Sequence, residues 1–160
     1  SKIINGNISV KMNDVLKSNI YRSNDSYNTT FIDTGSPHLI RKYENIDKID
    51  VVKEARELKK KYSEYTQGLN INFCEISDSE FKLRTYERGV EDETRSCGTG
   101  AVASAIFLKD LALVDNIKID ILMKGGLLTV DFISKETTYS EIWLTGSVNM
   151  VFKGAYNNFD

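Results

Sequence analysis

The segment Thr85–Asp110, TYERGVEDETRSCGTGAVASAIFLKD, carries both the strongest helix signal of the chain and its strongest chemical signal. Residues 101–108 are small or apolar on almost every side, and a helix that is apolar all round is a buried helix. We therefore expect the rest of the chain to fold around a helix that follows Cys97. Ser96 is a favourable N-cap residue, which predicts that Cys97 lies in the first turn of this helix.

This position predicts two chemical properties for Cys97. The partial positive charge at a helix start favours the thiolate, so we expect a pKa below the ordinary value of about 8.5 and a cysteine that can act as base or nucleophile. The free backbone N–H groups of Gly98, Thr99 and Gly100 could also bind a carboxylate or phosphate, because the glycines leave room for it. The alternative is a packing role, since free cysteines are among the most buried residue types.

The remaining sequence alternates short strand signals with turn signals. A hairpin is predicted over residues 1–12, around Asn5-Gly6, and a polar loop over 13–30. Further strands are predicted at 31–33, 38–40, 70–76, 81–87, 117–122, 127–133, 141–145 and 147–152. An amphipathic helix is predicted over Asp47–Tyr65, capped by Asp50. These elements indicate an α+β fold, with a mostly antiparallel sheet curled about the buried helix.

Length and composition predict one ordinary domain spanning residues 1–160, since no linker, repeat or low-complexity tract divides the chain. With 21 basic and 23 acidic side chains and no long basic run, nothing indicates nucleic-acid binding. No apolar stretch approaches the ~20 residues needed to cross a bilayer, so we expect a cytoplasmic protein without membrane contact. Cys74 and Cys97 are interpreted as reduced thiols, and a single histidine predicts no metal site.

Three stretches resemble, in order, the motifs of the diaminopimelate epimerase family. Tyr86–Val90, followed by Glu93-Thr94 and then by Cys97–Ala101, resembles the second cysteine motif of that family. Asp33–His38 resembles its Gly-Asn-Pro-His turn, and Gly68–Phe73 resembles its Thr-Asn-Val-Asn-Phe strand. The resemblance extends from roughly residue 8 to residue 154.

The resemblance implies a fold and a reaction. The fold is a half-domain built as a fragmented barrel around a central helix. The reaction inverts one α-carbon of LL-diaminopimelate to give the meso form, a step of lysine and cell-wall precursor biosynthesis, without pyridoxal phosphate or metal. Inversion needs a thiolate that removes a proton from one face and a thiol that returns one to the other.

The resemblance also implies that the active enzyme contains more than this chain. The family has two similar halves, each supplying one catalytic cysteine, and the motifs found here are those of the second half. We therefore expect this chain to be the carboxy-terminal half alone, and to need an amino-terminal half with its own Cys-Gly-Asn-Gly motif. The isolated chain should be nearly inactive, and the whole enzyme should be a homodimer.

By resemblance, the catalytic residues are Cys97, His38 and Glu87, of which the last two would tune or orient the thiols. The substrate-binding residues would surround them and recognise the ammonium and carboxylate groups of a diamino diacid: Ser36, Asn70, Glu87, Arg88, Gly98 and Thr99. Ser36 departs from the family pattern, which usually has an asparagine there, and its hydroxyl has a shorter reach. A solvent-exposed pair remains the alternative for Glu87 and Arg88, and a packing role remains the alternative for the histidine.

Two other functions remain open from the sequence. Proline racemases resemble this family in fold and share a Cys-Gly-Thr-Gly motif, so a proline racemase-like amino-acid racemase is possible. The segment Tyr86–Val90 matches the epimerase better. The other alternative is a non-catalytic binding or assembly domain in which the thiol of Cys97 is merely buried. Cys74, in contrast, has no activating motif around it, and we expect it to serve packing.

Overall fold

The computed structural model describes residues 1–4, 6–64, 68–77 and 80–155. These residues form two α-helices, α1 (Val51–Lys61) and α2 (Gly98–Asp110), and two short 3-10 turns, Lys17–Asn19 and Ile46–Lys48. The strands of the described residues are β1 (Lys2–Ile4), β2 (Asn7–Lys11), β3 (Val15–Leu16), β4 (Ile20–Arg22), β5 (Thr30–Asp33), β6 (Pro37–Tyr43), β7 (Asn70–Ile76), β8 (Phe81–Glu87), β9 (Asp92–Thr94), β10 (Lys118–Met123), β11 (Gly126–Ser134) and β12 (Thr138–Ser147).

All strands belong to one mixed sheet. Its order is β1-β2-β12-β11-β10-β8-β7-β6-β5-β4, and β3 and β9 pair with β12 and β8. The pairs β6–β7 and β8–β10 are parallel, and the other pairs are antiparallel. The expected α+β class is confirmed. Within the part of the chain that is described, the two end strands β1 and β4 do not pair with each other, so the sheet is not closed.

Helix α2 forms the centre of the core. Residues 100–108 are all buried, and the helix contacts strands β5, β6, β7, β8, β10, β11 and β12. A helix can be apolar on every face only if protein covers every face, and the sheet provides that cover. Each large side chain buried this way, such as Ile106 or Phe107, contributes about 1.5–3 kcal/mol to folding. The predicted buried helix is confirmed.

Helix α1 covers a second apolar cluster on the sheet. The Asp50 carboxylate accepts a hydrogen bond from the Lys53 backbone N–H at 3.1 Å, as the sequence predicted for an N-cap. The predicted start at Asp47 is wrong, because Asn45 caps a separate 3-10 turn at Ile46–Lys48. The predicted end at Tyr65 is also wrong, because α1 ends at Lys61 and residues 62–64 form a turn; Tyr65 itself lies outside the described residues.

The amino-terminal hairpin is confirmed as the pair β1–β2, although Asn5 of its turn lies outside the described residues. The polar loop predicted over residues 13–30 is wrong in part, because it contains β3 and β4. These strands are too short to show a period, and they form only because β12 and β5 supply partners.

Two further corrections concern strand ends. The two strands predicted on either side of Gly146 are one continuous strand, β12, and residues 148–155 contain no strand. Gly146 pairs with Ile8 on one side and Leu128 on the other, so it lies inside the sheet and not in a turn. A short strand over Asp92–Thr94, β9, was not expected, and it extends the chain from β8 towards Cys97.

The pairing of β6, β7 and β8 brings the predicted motifs to one sheet edge. His38 lies opposite Asn70 in the parallel pair β6–β7, and Ile71 lies opposite Tyr86 in the antiparallel pair β7–β8. The starts of β6 and β7 therefore adjoin the end of β8. Among the described residues, no helix is both long and apolar enough to cross a membrane.

Candidate active site

Cys97 is the N-cap residue of α2. Its backbone is extended (φ −136°, ψ 108°), and its carbonyl accepts the hydrogen bond from the Ala101 N–H at 2.9 Å. The prediction that Ser96 caps the helix, with Cys97 in its first turn, is wrong by one residue. The change from extended to helical backbone falls between Cys97 and Gly98, so the cysteine flanks the free N–H groups of the first turn.

The Cys97 thiol is buried among hydrogen-bond donors. The residue is 5% exposed, and its Sγ lies 3.6 Å from the Thr99 hydroxyl. Burial raises its pKa above the ordinary value, and the negative charge of Glu87 acts in the same direction. Hydrogen bonds from the Thr99 hydroxyl and from the backbone N–H groups of Gly100 and Thr99 oppose this rise. The predicted lowering of the pKa is therefore wrong for this chain, because the desolvation of the thiolate outweighs the helix start.

A buried hydrogen-bonded network joins β6, β7 and β8 beneath Cys97. His38 is fully buried, and its Nδ1 lies 3.0 Å from the side-chain Nδ2 of Asn72. The Thr85 hydroxyl donates to Asn72 Oδ1 at 2.9 Å. A Cβ on Gly100 would come within 2.6 Å of that same oxygen and within 3.2 Å of Cys97 Sγ, so the network lies directly against the start of α2.

Burial and the positive charge of Arg88 lower the pKa of His38 to about 3. The imidazole is therefore neutral at neutral pH. An imidazole in water titrates near neutral pH, but the pKa of His38 is far lower, because burial penalises the charged form of its ring.

Three of the predicted substrate-binding residues form a second cluster beside His38. The Asn70 amide donates to the Ser36 hydroxyl at 2.8 Å and to the Pro37 carbonyl at 3.1 Å. Its oxygen accepts from the backbone N–H of Arg88 at 2.9 Å, and the Arg88 guanidinium lies 3.5 Å from Ser36 Oγ. Asn70 therefore bridges the turn before β6 and the end of β8, and it orients both.

The other predicted residues lie at the same edge. Glu87 ends β8, half-buried, and its charge reaches the Cys97 thiol. Gly98 and Thr99 form the first turn of α2 and are also half-buried. Cys74 stands apart: it is fully buried in the core, and burial raises its pKa to about 12.

Sequence reasoning missed Asn72 and Thr85. Asn72 could have been identified from the sequence, because it lies two positions from Asn70 on the same face of β7, inside a stretch that resembles a family motif. Thr85 had no signal, since only the pairing of β7 with β8 brings its hydroxyl to Asn72. The described residues contain no group of three or more His, Cys, Asp or Glu side chains that could hold a metal ion.

The contact between Gly100 and Asn72 yields a stability prediction. Alanine usually favours a helix over glycine by about 1 kcal/mol. Here the added methyl would collide with a buried, hydrogen-bonded amide, so we expect Gly100→Ala to destabilise the fold by about 1–3 kcal/mol in denaturant unfolding.

Gly98→Ala is the matched control for this prediction. Its Cβ would meet Leu144 Cδ2 at 2.7 Å, which is the end of a flexible side chain that can move aside. The Gly98 variant should therefore lose less stability than the Gly100 variant. An equal loss in both, or a gain from Gly100→Ala, would contradict the tight packing of the network against α2.

Comparisons with known proteins show the family of this chain. The family model described as diaminopimelate epimerase matches residues 30–151. Diaminopimelate epimerase from Flavobacterium psychrophilum is 42% identical over 149 residues, which cover 91% of this chain and 56% of that protein. Its counterpart from Aquifex aeolicus is 41% identical over 126 residues, which cover 78% of this chain and 44% of that protein.

A likeness among solved structures concerns the fold alone. A hydroxyproline epimerase from Agrobacterium vitis, with bound trans-4-hydroxy-L-proline, superposes with a TM-score of 0.63 at 12% identity, over 89% of this chain and 50% of that one.

The chain spans about half the length of the curated relatives it matches. Because the family model covers most of the chain and includes the turn, the strand and the cysteine motif described above, the chain belongs to the diaminopimelate epimerase family.

Proposed function

We propose that this chain is the second-cysteine half of a diaminopimelate epimerase, and that Cys97 is one of the two acid–base groups that invert the α-carbon. The observation that carries the proposal is the placement of Cys97 Sγ at the start of a buried helix, where the N–H groups of Thr99 and Gly100 donate to it. These donors stabilise the thiolate whenever it forms, while burial keeps the resting group protonated.

The proposed reaction balances as a double proton transfer. One thiolate takes the α-proton, so the Cα–H bond breaks, an S–H bond forms, and the electron pair spreads from Cα into the carboxylate. The opposite thiol then protonates the other face. In the resting chain Cys97 is the thiol, which is the form that returns a proton. The second sulfur would come from an amino-terminal half-domain.

The surrounding groups suit a diamino diacid. Arg88 would hold a carboxylate, because its guanidinium can form paired charge-assisted hydrogen bonds. Glu87 would hold an ammonium group. Ser36 and Asn70 would present hydroxyl and amide groups beside them, and the N–H groups of the first turn of α2, from Gly98 and Thr99, would stabilise the charge that develops on the α-carboxylate.

The assembly is also part of the proposal. Residues 1–160 would form one half-domain, whose sheet becomes the fragmented barrel around α2 that is typical of the family. That half-domain would pair with an amino-terminal half in a cytoplasmic homodimer that uses no cofactor. The barrel-like part of this proposal is supported by the contacts of α2 with seven strands, because these strands surround the helix.

Solvent deuterium incorporation at the α-carbon of LL-diaminopimelate tests the function. We expect no exchange from this chain alone. We expect exchange when it is mixed with the amino-terminal half of the Flavobacterium psychrophilum relative, with complex formation checked by size-exclusion chromatography. Exchange by the chain alone would contradict the half-site proposal, and silence in a mixture that assembles would favour a non-catalytic domain.

L-proline is the control substrate in the same assay. The shared fold with a hydroxyproline epimerase does not favour proline, because a likeness at 12% identity concerns the fold alone. Glu87 is poorly suited to proline, which has no second ammonium group to pair with it. We expect no exchange at the proline α-carbon, and exchange there without exchange of diaminopimelate would indicate a proline racemase-like enzyme.

A further inference from the structure

The single histidine of the chain is held by a side chain whose orientation is fixed. Asn72 is fully buried, and its Nδ2 lies 3.1 Å from the Leu39 carbonyl oxygen and 3.0 Å from His38 Nδ1. A carbonyl oxygen can only accept, so the amide must turn its NH2 group towards Leu39. Rotating the amide by half a turn would place two oxygens 3.1 Å apart in the core, without a hydrogen between them.

The other end of the amide agrees with this orientation. The Thr85 hydroxyl donates to Asn72 Oδ1 at 2.9 Å, so the oxygen is satisfied while both hydrogens of the NH2 group are used by Leu39 and His38. With the NH2 group facing it, Nδ1 of His38 must accept. A neutral imidazole that accepts at Nδ1 carries its proton at Nε2.

The Nε2 atom is a buried donor without a protein partner in the described residues. His38 lines a cavity of ≈ 430 Å³, together with Pro37, Gly68, Leu69 and Asp33. A buried N–H group that lacks an acceptor is costly, so this group favours an acceptor supplied from outside the described residues.

We infer that Asn72 is a positioning residue that fixes His38 as the neutral Nε2–H tautomer, so that the histidine offers a hydrogen-bond donor at Nε2 in the assembled active site. The role of that donor in an active site rests on the proposed function. The tautomer does not, because it follows from the contacts of Asn72 within the folded chain.

The nitrogen resonances of His38 in ¹⁵N-labelled full chain test the inference directly. Because the chain has one histidine, a long-range ¹H–¹⁵N correlation spectrum at pH 7 contains a single imidazole pattern. We expect an unprotonated Nδ1 and a protonated Nε2. A protonated Nδ1, or an averaged mixture of the two tautomers, in the unaltered chain would overturn the inference without any variant.

Asn72→Asp tests whether this residue sets the tautomer. A carboxylate of the same shape cannot donate, and it accepts a hydrogen bond from a protonated Nδ1 instead, so the Nδ1 resonance should move to its protonated position. An unchanged pattern in the folded variant would show that Asn72 is not the determinant.

Asn70→Asp is the matched control, because it makes the same change two residues away on β7, where the amide contacts Ser36 and Pro37. Its spectrum should retain the unprotonated Nδ1. A shift of Nδ1 in this control as well would mean that any nearby negative charge moves the proton, which would overturn the specific role of Asn72. If Asn72→Asp does not fold, the spectrum of the unaltered chain still decides the tautomer.

These measurements separate the inference from the proposed function. An expected spectrum together with an assembled but silent exchange assay would leave the tautomer standing and remove the epimerase assignment. Exchange in the assay together with a protonated Nδ1 would support the epimerase assignment and overturn the tautomer inference.

Discussion

Replacing Cys97 with serine is expected to reduce α-carbon exchange by the two assembled halves about 10²- to 10⁴-fold, which is the usual contribution of a positioned acid–base group. Serine keeps the size of the side chain and its place at the N-cap of α2, so the fold should survive. Its hydroxyl is far less acidic than a thiol and cannot remove or return the α-proton on the same time scale.

Cys74→Ala is the matched control for the serine variant. It removes the other thiol of the chain, which is buried in the core, where burial raises its pKa to about 12. We expect it to cost stability but to leave exchange within a few-fold of the unaltered chain once folding is confirmed by circular dichroism. Full activity of Cys97→Ser, or loss of activity only in Cys74→Ala, would contradict the assignment of Cys97.

The buried histidine predicts a second large effect, on stability as a function of pH. The folded pKa of His38 is about 3, against an ordinary value of 6.5, so between these values the unfolded chain binds a proton that the folded chain does not. Stability should therefore fall as the pH decreases, by about 1.4 kcal/mol per pH unit from this group. The loss begins below about pH 6.5 and ends near the folded pKa.

Urea unfolding between pH 6.5 and 5 measures this slope with little interference. The carboxylates whose pKa values are lowered in the fold, such as Asp25, Glu91 and Glu93, add the same sign of slope only at more acid pH. His38→Gln should abolish most of the slope in this window, because its side chain does not titrate. An equal slope in both proteins would mean that His38 is accessible to protons in the folded state.

The sequence was most informative where a local pattern of residues was enough to predict the structure around it. Residues 101–108 are apolar on every side, and this alone predicted a buried helix with the sheet around it. Asp50 predicted the start of α1 because its cap is a local contact. Asn70 and Arg88 were placed through resemblance, and the structure brings them together as neighbours across β7 and β8.

The errors have a common physical origin, which is that they depended on partners distant in sequence. The pKa of Cys97 was predicted from the helix start alone, whereas the burial that raises it comes from strands elsewhere in the chain. The strands β3 and β4 and the hydroxyl of Thr85 became meaningful only through pairing. Gly146 was interpreted as a turn residue, because its neighbours β2 and β11 could not be identified from local pattern.

The path of β12 also has a consequence for how the chain folds. Ile8 pairs with Gly146, so the amino-terminal hairpin joins the main sheet only through a strand from the far end of the described chain. Such a contact closes a very long loop, and long loops are slow to close. We therefore expect the hairpin to add late, after α2 and β6–β8 have collapsed. Until then, the edge of β12 that later pairs with β2 remains open to pairing with other chains, which makes this folding intermediate prone to aggregate.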